Sequence, residues 1–277
     1  MSHKFIRSGV LLLAGQFASL AAEPPQSGQE LTTFGVMHEV IGMGRSQARV
    51  PLSELARRPH FYGVGAVEGL SGEISFLDSQ PTVTSVGADG KLRDALTDDA
   101  NATLLIGQSV KHWTSIPVEE DIPPDDFDRR LRVLAAQQGV PDAHPFMFII
   151  EGEFQEVKLH VINGACPIHA RSRGVEIEEK HRPYELSSKT IRGRMVGVHA
   201  LNAAGRLTHP GTSTHRHLVF YGADLNQPIT GHIEQSGVLK GAQIKIPTPG
   251  EPVGPENGSQ PIRSKTNQTS SAAGSRR

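Results

Sequence analysis

A single cysteine, Cys166, stands in 277 residues, so no intramolecular disulfide can brace this chain, and its stability has to come from core burial and from any bound metal. Aromatic residues make up only 5% of the sequence against 29 glycines and 19 prolines, which points to turns and short strands in place of long helices. Charge of one sign is lacking as well: the formal net charge of -1 leaves no basic field to hold a nucleic acid. No internal repeat of fixed period is visible. No apolar run is long enough to span a bilayer comfortably, since Val10 to Ala22 is short and is interrupted by Gly15 and Gln16.

That run has another reading. Lys4 and Arg7 precede it and small residues, Ala21 and Ala22, close it, which is the layout of a secretory signal peptide over 1–22. The expectation is an exported protein, periplasmic or secreted, cleaved near Ala22, mildly acidic once Lys4 and Arg7 are gone and free of the membrane. Residues 23–32 read as a flexible lead-in and 248–277 as a disordered tail almost without apolar content. Cys166 itself reads as a small buried apolar residue.

Between these ends, short apolar runs are separated by Gly, Pro, Asn and Asp: 62–67, 74–77, 82–86, 103–106, 146–150, 157–162, 195–199, 215–221, from 233 onward, and 244–246. One helix stands out. Pro124, Asp125 and Asp126 start it, Phe127, Leu131 and Leu134 share a face, and Gly139 sits where a C-terminal cap belongs. Its arginines, Arg129, Arg130 and Arg132, read as a solvated face. A shorter helix fits Pro51 to Arg58. The fold class expected is α+β and mostly β, with few helices and mainly antiparallel or mixed sheets, in two strand-rich halves over 33–140 and 141–247.

The chemistry concentrates in HRHLVF at 215–220 and GHIEQ at 231–235. Side chains two apart on a strand share a face, so His215 and His217 point together while Arg216 turns to the other side. Asp224, Asn226, Pro228 and Gly231 are turn formers, which predicts a reversal that brings His232 beside the pair on an antiparallel strand. Three histidines with an open fourth position are the donor set of a catalytic zinc site, the vacancy being where a substrate oxygen or water binds. An HxH alone would read as two polar residues on an exposed face; the third histidine tips the balance to a metal, and zinc is favoured over iron, nickel or manganese by the habit of such sites.

The stretch YGVGAVEGLSGEISFLD at 62–78, taken with GEFQEVKLHVI at 152–162, RGRMVGV at 192–198, the histidine pair and GHIEQ, resembles the α-acetolactate decarboxylase family from about Phe61 to Pro247. The resemblance implies a zinc-dependent lyase that converts 2-acetolactate to acetoin and carbon dioxide. It implies His215, His217 and His232 as zinc ligands, with a longer gap before the last than the family has, and Glu73 of the GE pair as an active-site acid/base group. Three positions depart from the pattern: His160 stands where the family has an active-site arginine, Ala66 where it has a threonine, and the family's late glutamate has no counterpart, Glu251 and Glu256 lying in a tail of different character. A neutral imidazole gives one hydrogen bond where a guanidinium gives a bidentate pair, so His160 is expected to hold the substrate less firmly.

Each of these residues has an ordinary alternative. Glu73 would read as an ordinary solvent-facing strand residue but for its place in the matching block, which favours a functional role; His160 reads equally as a metal-proximal residue or a core-edge histidine, His209 as a loop histidine near the pocket, and His199 likewise. Other functions remain open beside the decarboxylase: a related metal-dependent lyase or isomerase on another 2-hydroxy-3-oxo acid, or a non-catalytic exported zinc-binding protein. A cupin also uses HxH on a strand, but its further glutamate is missing at Tyr221 and Gly222. The expected partner is a small hydroxy-keto acid, and a homodimer is an allowed assembly.

Overall fold

Two antiparallel sheets lie face to face in the computed structural model, which describes residues 31–222 and 227–249. The expected leader at 1–22, nearly all of the lead-in and of the tail, and the turn residues Asp224 and Asn226 lie outside the described residues. The first sheet holds β1 (Thr32–Phe34), β2 (Val50–Pro51), β3 (Phe61–Val67), β4 (Glu73–Leu77), β5 (Gln80–Val86), β6 (Leu92–Asp94) and β7 (Asn101–Ser109), in the order β1-β7-β3-β4-β5-β6 with β2 against β7. The second holds β8 (Trp113–Pro117), β9 (Phe146–Val161), β10 (Tyr184–His199), β11 (Thr214–Tyr221), β12 (Pro228–Val238) and β13 (Gln243–Pro247), in the order β10-β11-β12-β9-β13-β8. Because β9 also pairs with β10 along its length, β9, β10, β11 and β12 form a closed circuit of hydrogen-bonded neighbours.

Alternation along the strands sorts the core into layers. On β4, Ile74 and Phe76 join Phe61, Val83 and Leu105 beneath helix α1 (Leu52–Ala56), whose Leu52 and Leu55 cover the outer face of the first sheet. The inner faces of the two sheets meet through Val64, Ile106, Met147, Ile149, Val196 and Val198. On the far side of the second sheet, Phe148, Met195, Leu218 and Phe220 pack under α2 (Phe127–Gln137) through Phe127, Leu131 and Ala135. At Gly65 on β3 a side chain would collide with its neighbour, a Cβ there falling 2.0 Å from the Leu104 carbonyl oxygen, so the tight pairing of β3 with β7 needs glycine.

The helix expected from Pro124 onward forms, Gly139 following it at φ 84°; Ala135 is buried in its core-facing stripe, and Leu134 only partly so. Three departures from the sequence reading have physical causes. The runs at 146–150 and 157–162 are joined in one strand, β9, in which Glu156 takes φ 49° without shifting the β10 register, Gln155 and Val157 pairing with Thr190 and Ser188; the polar GEFQE stretch looks like a break because that part of the strand is only partly buried. β10 starts at Tyr184, not near Met195, and its first half alternates exposed and half-buried residues, which hides its apolar signal. Helix α3 (Pro167–Arg173) and a π-helical turn at His38–Gly42 were not expected; both are short, and α3 buries only Pro167.

Candidate metal centre

The inner face of the second sheet carries a row of histidines across three strands. His217 on β11 lies opposite His232 on β12, and His232 lies opposite His160 on β9; directly opposed residues share a face and bring their side chains together. His215, two residues from His217, adds a fourth ring on that face. All four are buried. His215 Nε2 and His217 Nε2 approach to 3.3 Å, and one ring nitrogen from each of His215, His217 and His232 lies within 4.8 Å of the others.

Burial, with the neighbouring imidazoles adding to it, drives the ring pKa values down: His217 to about 3, and His215 and His232 well below the usual value. The rings are therefore uncharged at neutral pH, with lone pairs available, as metal binding requires. Two nitrogens on one tetrahedral zinc at bond lengths of about 2.0–2.1 Å sit about 3.3–3.4 Å apart, so the His215–His217 separation fits the ion. Among the described residues this trio is the group that could hold a metal.

The first sheet supplies the opposite wall. Glu73, Ser75 and Leu77 form the inward face of β4, and Glu73 Oε2 stands 3.5 Å from His217 Nε2 while Oε1 stands 3.9 Å from His160 Nε2. Ser75 Oγ lies 3.4 Å from His217 Nδ1 and 2.6 Å from Thr230 Oγ1, so the second nitrogen of His217 is steadied from behind, as metal-bound histidines commonly are. Burial lifts the Glu73 pKa to about 8 even though the Ile162 N–H donates to its Oε1 at 3.3 Å. The group is a carboxylic acid at neutral pH; a dication at the histidines would draw it back toward carboxylate.

Between these walls lies a small pocket of about 20 Å³. Met37, Ile41, Ala66, Leu70, Leu104 and Ile162 make it apolar on one side, and Glu73, His160, His209, His215 and His232 make it polar on the other. The geometry thus brings together Glu73, His160 and the three expected ligands. His209 also lines this pocket, its ring edge-on to His232 at 5.1 Å, with burial holding its pKa near 4. Cys166 lines it too, its thiol pushed up to about 11 by burial. His199 lies elsewhere, stacked on Phe146 at 5.0 Å.

Sequence reasoning gave no role to one residue beside the site. Glu234, inside GHIEQ, accepts a hydrogen bond from His160 Nδ1, Oε1 to nitrogen 2.7 Å, and pairs with Arg171 of α3. Partial burial would raise its pKa, but the His160 and Arg171 hydrogen bonds outweigh this and hold it at about 2. Its position two residues beyond His232 was the available signal.

The chain is similar in fold to alpha-acetolactate decarboxylase from Bacillus subtilis strain 168, with 14% identity, a TM-score of 0.58, and coverage of 78% of this chain and 85% of that one. It is similar to a Staphylococcus aureus protein of unknown function that resembles alpha-acetolactate decarboxylase, at 18% identity and TM-score 0.57, covering 78% and 84%. Acetolactate decarboxylase from Bacillus subtilis subspecies spizizenii gives 14%, 0.56, 78% and 85%. No curated protein matches the sequence significantly. The family profile described as Alpha-acetolactate decarboxylase matches residues 35–248, a span that contains every pocket residue named above, and the chain belongs to that family.

Proposed function

We propose that this protein is a zinc-dependent carboxy-lyase that converts 2-acetolactate to acetoin and carbon dioxide, with His215, His217 and His232 as the metal ligands and Glu73 as the proton donor. The observation that carries this reading is the buried acid of Glu73 standing 3.5 Å from His217 across a pocket whose other wall is apolar. Zinc bound there supplies Lewis acidity toward the ketone oxygen, where electrons freed by decarboxylation can delocalise.

The protein's own groups account for the rest. Loss of carbon dioxide breaks the bond between C1 and C2 and leaves the electron pair on the C2–C3 ketone system. Glu73, once it carries a proton, gives that proton to C2, completes acetoin, and is reprotonated from solvent. Met37, Ala66, Leu70, Leu104 and Ile162 receive the methyl groups and keep water from competing for the developing charge. His160 faces the substrate beside Glu73.

A second reading keeps the centre and changes the acid. Among the described residues no arginine or lysine lines the pocket, and Ala66 leaves more room than the threonine of the family pattern, so a bulkier 2-hydroxy-3-oxo acid is the alternative substrate.

Racemic 2-acetolactate incubated with zinc-loaded protein should yield acetoin above the buffer rate, chelation should stop it, and Glu73→Gln should lower kcat by about 10²–10⁴-fold while zinc binding persists. Stoichiometric zinc with no acetoin would remove acetolactate as the substrate; carbon dioxide release from larger acids would then favour the second reading, and none from any acid a non-catalytic zinc protein.

A further inference from the structure

The pocket is smaller than the acid it would hold. Its volume of about 20 Å³ is room for about one water, whereas a hydroxy-keto acid brings a carboxylate, a hydroxyl, a ketone and its methyl groups. Part of the wall therefore has to move before such an acid reaches the histidines. Most of that wall is strand: Ala66, Glu73, Leu104, His160, His215 and His232 lie on β3, β4, β7, β9, β11 and β12, whose hydrogen-bond ladders open only at a cost near that of unfolding.

Met37 and Ile41 belong to neither sheet. They line the pocket from the excursion 35–49 between β1 and β2, and both of these strands are fixed on β7, Phe34 opposite Leu105 and Val50 opposite Ala102. The ends of the excursion are thus anchored while its middle is a π-helical turn, His38–Gly42, a rare form that recurs at functional sites. Two backbone hydrogen bonds hold this turn to the loop that leads to His209: the Met37 N–H donates to the Arg206 carbonyl at 3.1 Å and the His38 N–H to the Gly205 carbonyl at 2.8 Å. Met37 is buried and Ile41 partly so, whereas His38 and Met43 are exposed. Gly35 and Gly44, at φ 71° and 67°, bracket the turn with backbone that can absorb a change of direction.

We propose that residues 36–43 form a strap that lifts from the 205–206 loop to admit a hydroxy-keto acid and then closes Met37 and Ile41 over it. The proposal rests on the hydroxy-keto acid reading above for its occupant. Lifting breaks the two backbone bonds and withdraws two apolar side chains, and it leaves the strands and the three histidines in place. Closing returns those side chains to the methyl groups of the acid and excludes water from the reacting carbon.

The test uses the full-length, zinc-loaded protein and two measurements. Amide hydrogen exchange needs no variant: the Met37 and His38 amides should exchange at least about 100-fold faster than those of Val64 and Ala66 in the middle of the first sheet. Exchange as slow as that of β3 overturns the proposal. For the second measurement the strap is tied down. A Cβ at Gly205 would lie 3.8 Å from the His38 Cβ, the usual separation across a disulfide, so His38→Cys combined with Gly205→Cys can be oxidised into a tether. Cys166, which lines the same pocket, reports entry through its alkylation by iodoacetamide, read by mass on the peptide that carries it. Relative to wild type, the tether should slow this alkylation at least about tenfold beyond any slowing of exchange at Val64 and Ala66, a comparison that sets aside the general stability a disulfide adds. Alkylation slowed no more than that exchange overturns the proposal, and if the double variant does not fold, the wild-type exchange decides alone. Neither readout needs turnover: fast strap exchange and blocked entry without acetoin from the wild type defeat the decarboxylase reading alone, and acetoin formed by the tethered protein at the wild-type rate defeats the strap alone.

Discussion

The two faces of β11 differ in what their buried polar groups are for. On the inner face, His215 and His217 bring their Nε2 atoms to within 3.3 Å of each other beside His232, and this cluster of uncharged ring nitrogens is what makes the site able to bind an ion. On the outer face, one residue away, Arg216 is equally buried but faces α2, with its guanidinium 3.8 Å from the centre of the Phe127 ring. Burial lowers the Arg216 pKa to about 10 against the pull of Asp128, and its Nη1 has no hydrogen-bond partner among the described residues. Asp128 is occupied instead by Thr212 Oγ1, the Ser213 N–H and hydroxyl, and Thr214 Oγ1, at 2.7–3.0 Å. One face stores binding capacity in clustered ring nitrogens, and the other uses its hydrogen bonds to clamp α2 to the strand.

If this division holds, substitutions on the two faces should separate cleanly. His217→Ala should have the largest effect and act on the metal. Zinc binding of about 10–16 kcal/mol shared over four positions assigns about 2.5–4 kcal/mol to one ligand, so affinity should fall by about two to three decades, with the melting temperature of metal-free protein changing far less. Competition with a zinc chelator measures the first and calorimetric melting the second. Retained affinity would mean that the ion sits elsewhere.

Asp128→Ala should do the reverse. Removing the acceptor of four hydrogen bonds, each to a charged group, should cost about 3 kcal/mol, read as a drop in melting temperature with zinc affinity intact. Burial alone would raise the Asp128 pKa, but the hydrogen bonds from Thr214, Ser213 and Thr212 and the nearby Arg216 charge outweigh it and hold the group below the usual carboxylate value. A carboxyl depressed in the folded state contributes stability that is present above its unfolded pKa, about 3.9, and is lost as pH falls through the folded one. Wild type should therefore lose stability below about pH 4 with a steeper slope than Asp128→Ala; parallel slopes would show that the clamp does not depend on the charge.

Much of the inner face is legible in the sequence, for one reason. Period-two alternation and a turn are local, and they suffice to put His215, His217 and His232 together; the block around GEISFLD marks Glu73. What stays hidden depends on distant packing. β9 crosses from core to surface within one strand, so its polar middle imitates a loop. His209 and Cys166 reach the pocket from a loop and from the start of α3, whose placement no local pattern specifies. Glu234 is visible as a residue but not as the partner of His160, because the pairing of β12 with β9 that joins them spans more than seventy positions. The nature of the outer face is equally hidden: that Arg216 points away from the histidines follows from alternation, but that it points into Phe127 follows only from where α2 docks.

Arg216 gives the smallest expected effect and the sharpest check on the comparison. A buried cation without a direct ion pair brings little net stability, because its desolvation offsets what the ring and Asp128 return, and an apolar side chain of similar length often replaces such a group at no loss. Arg216→Met should change stability by less than about 1 kcal/mol, since methionine fills the space over Phe127 and removes the unpaired Nη1. Zinc affinity should be unchanged. A loss beyond about 3 kcal/mol, more than cation–π contacts at their strongest supply, would assign the clamp to the guanidinium itself, through its field on Asp128. A loss of zinc affinity at constant stability would show that β11 transmits a change on one face to the rings on the other, and the division between binding and clamping would no longer hold.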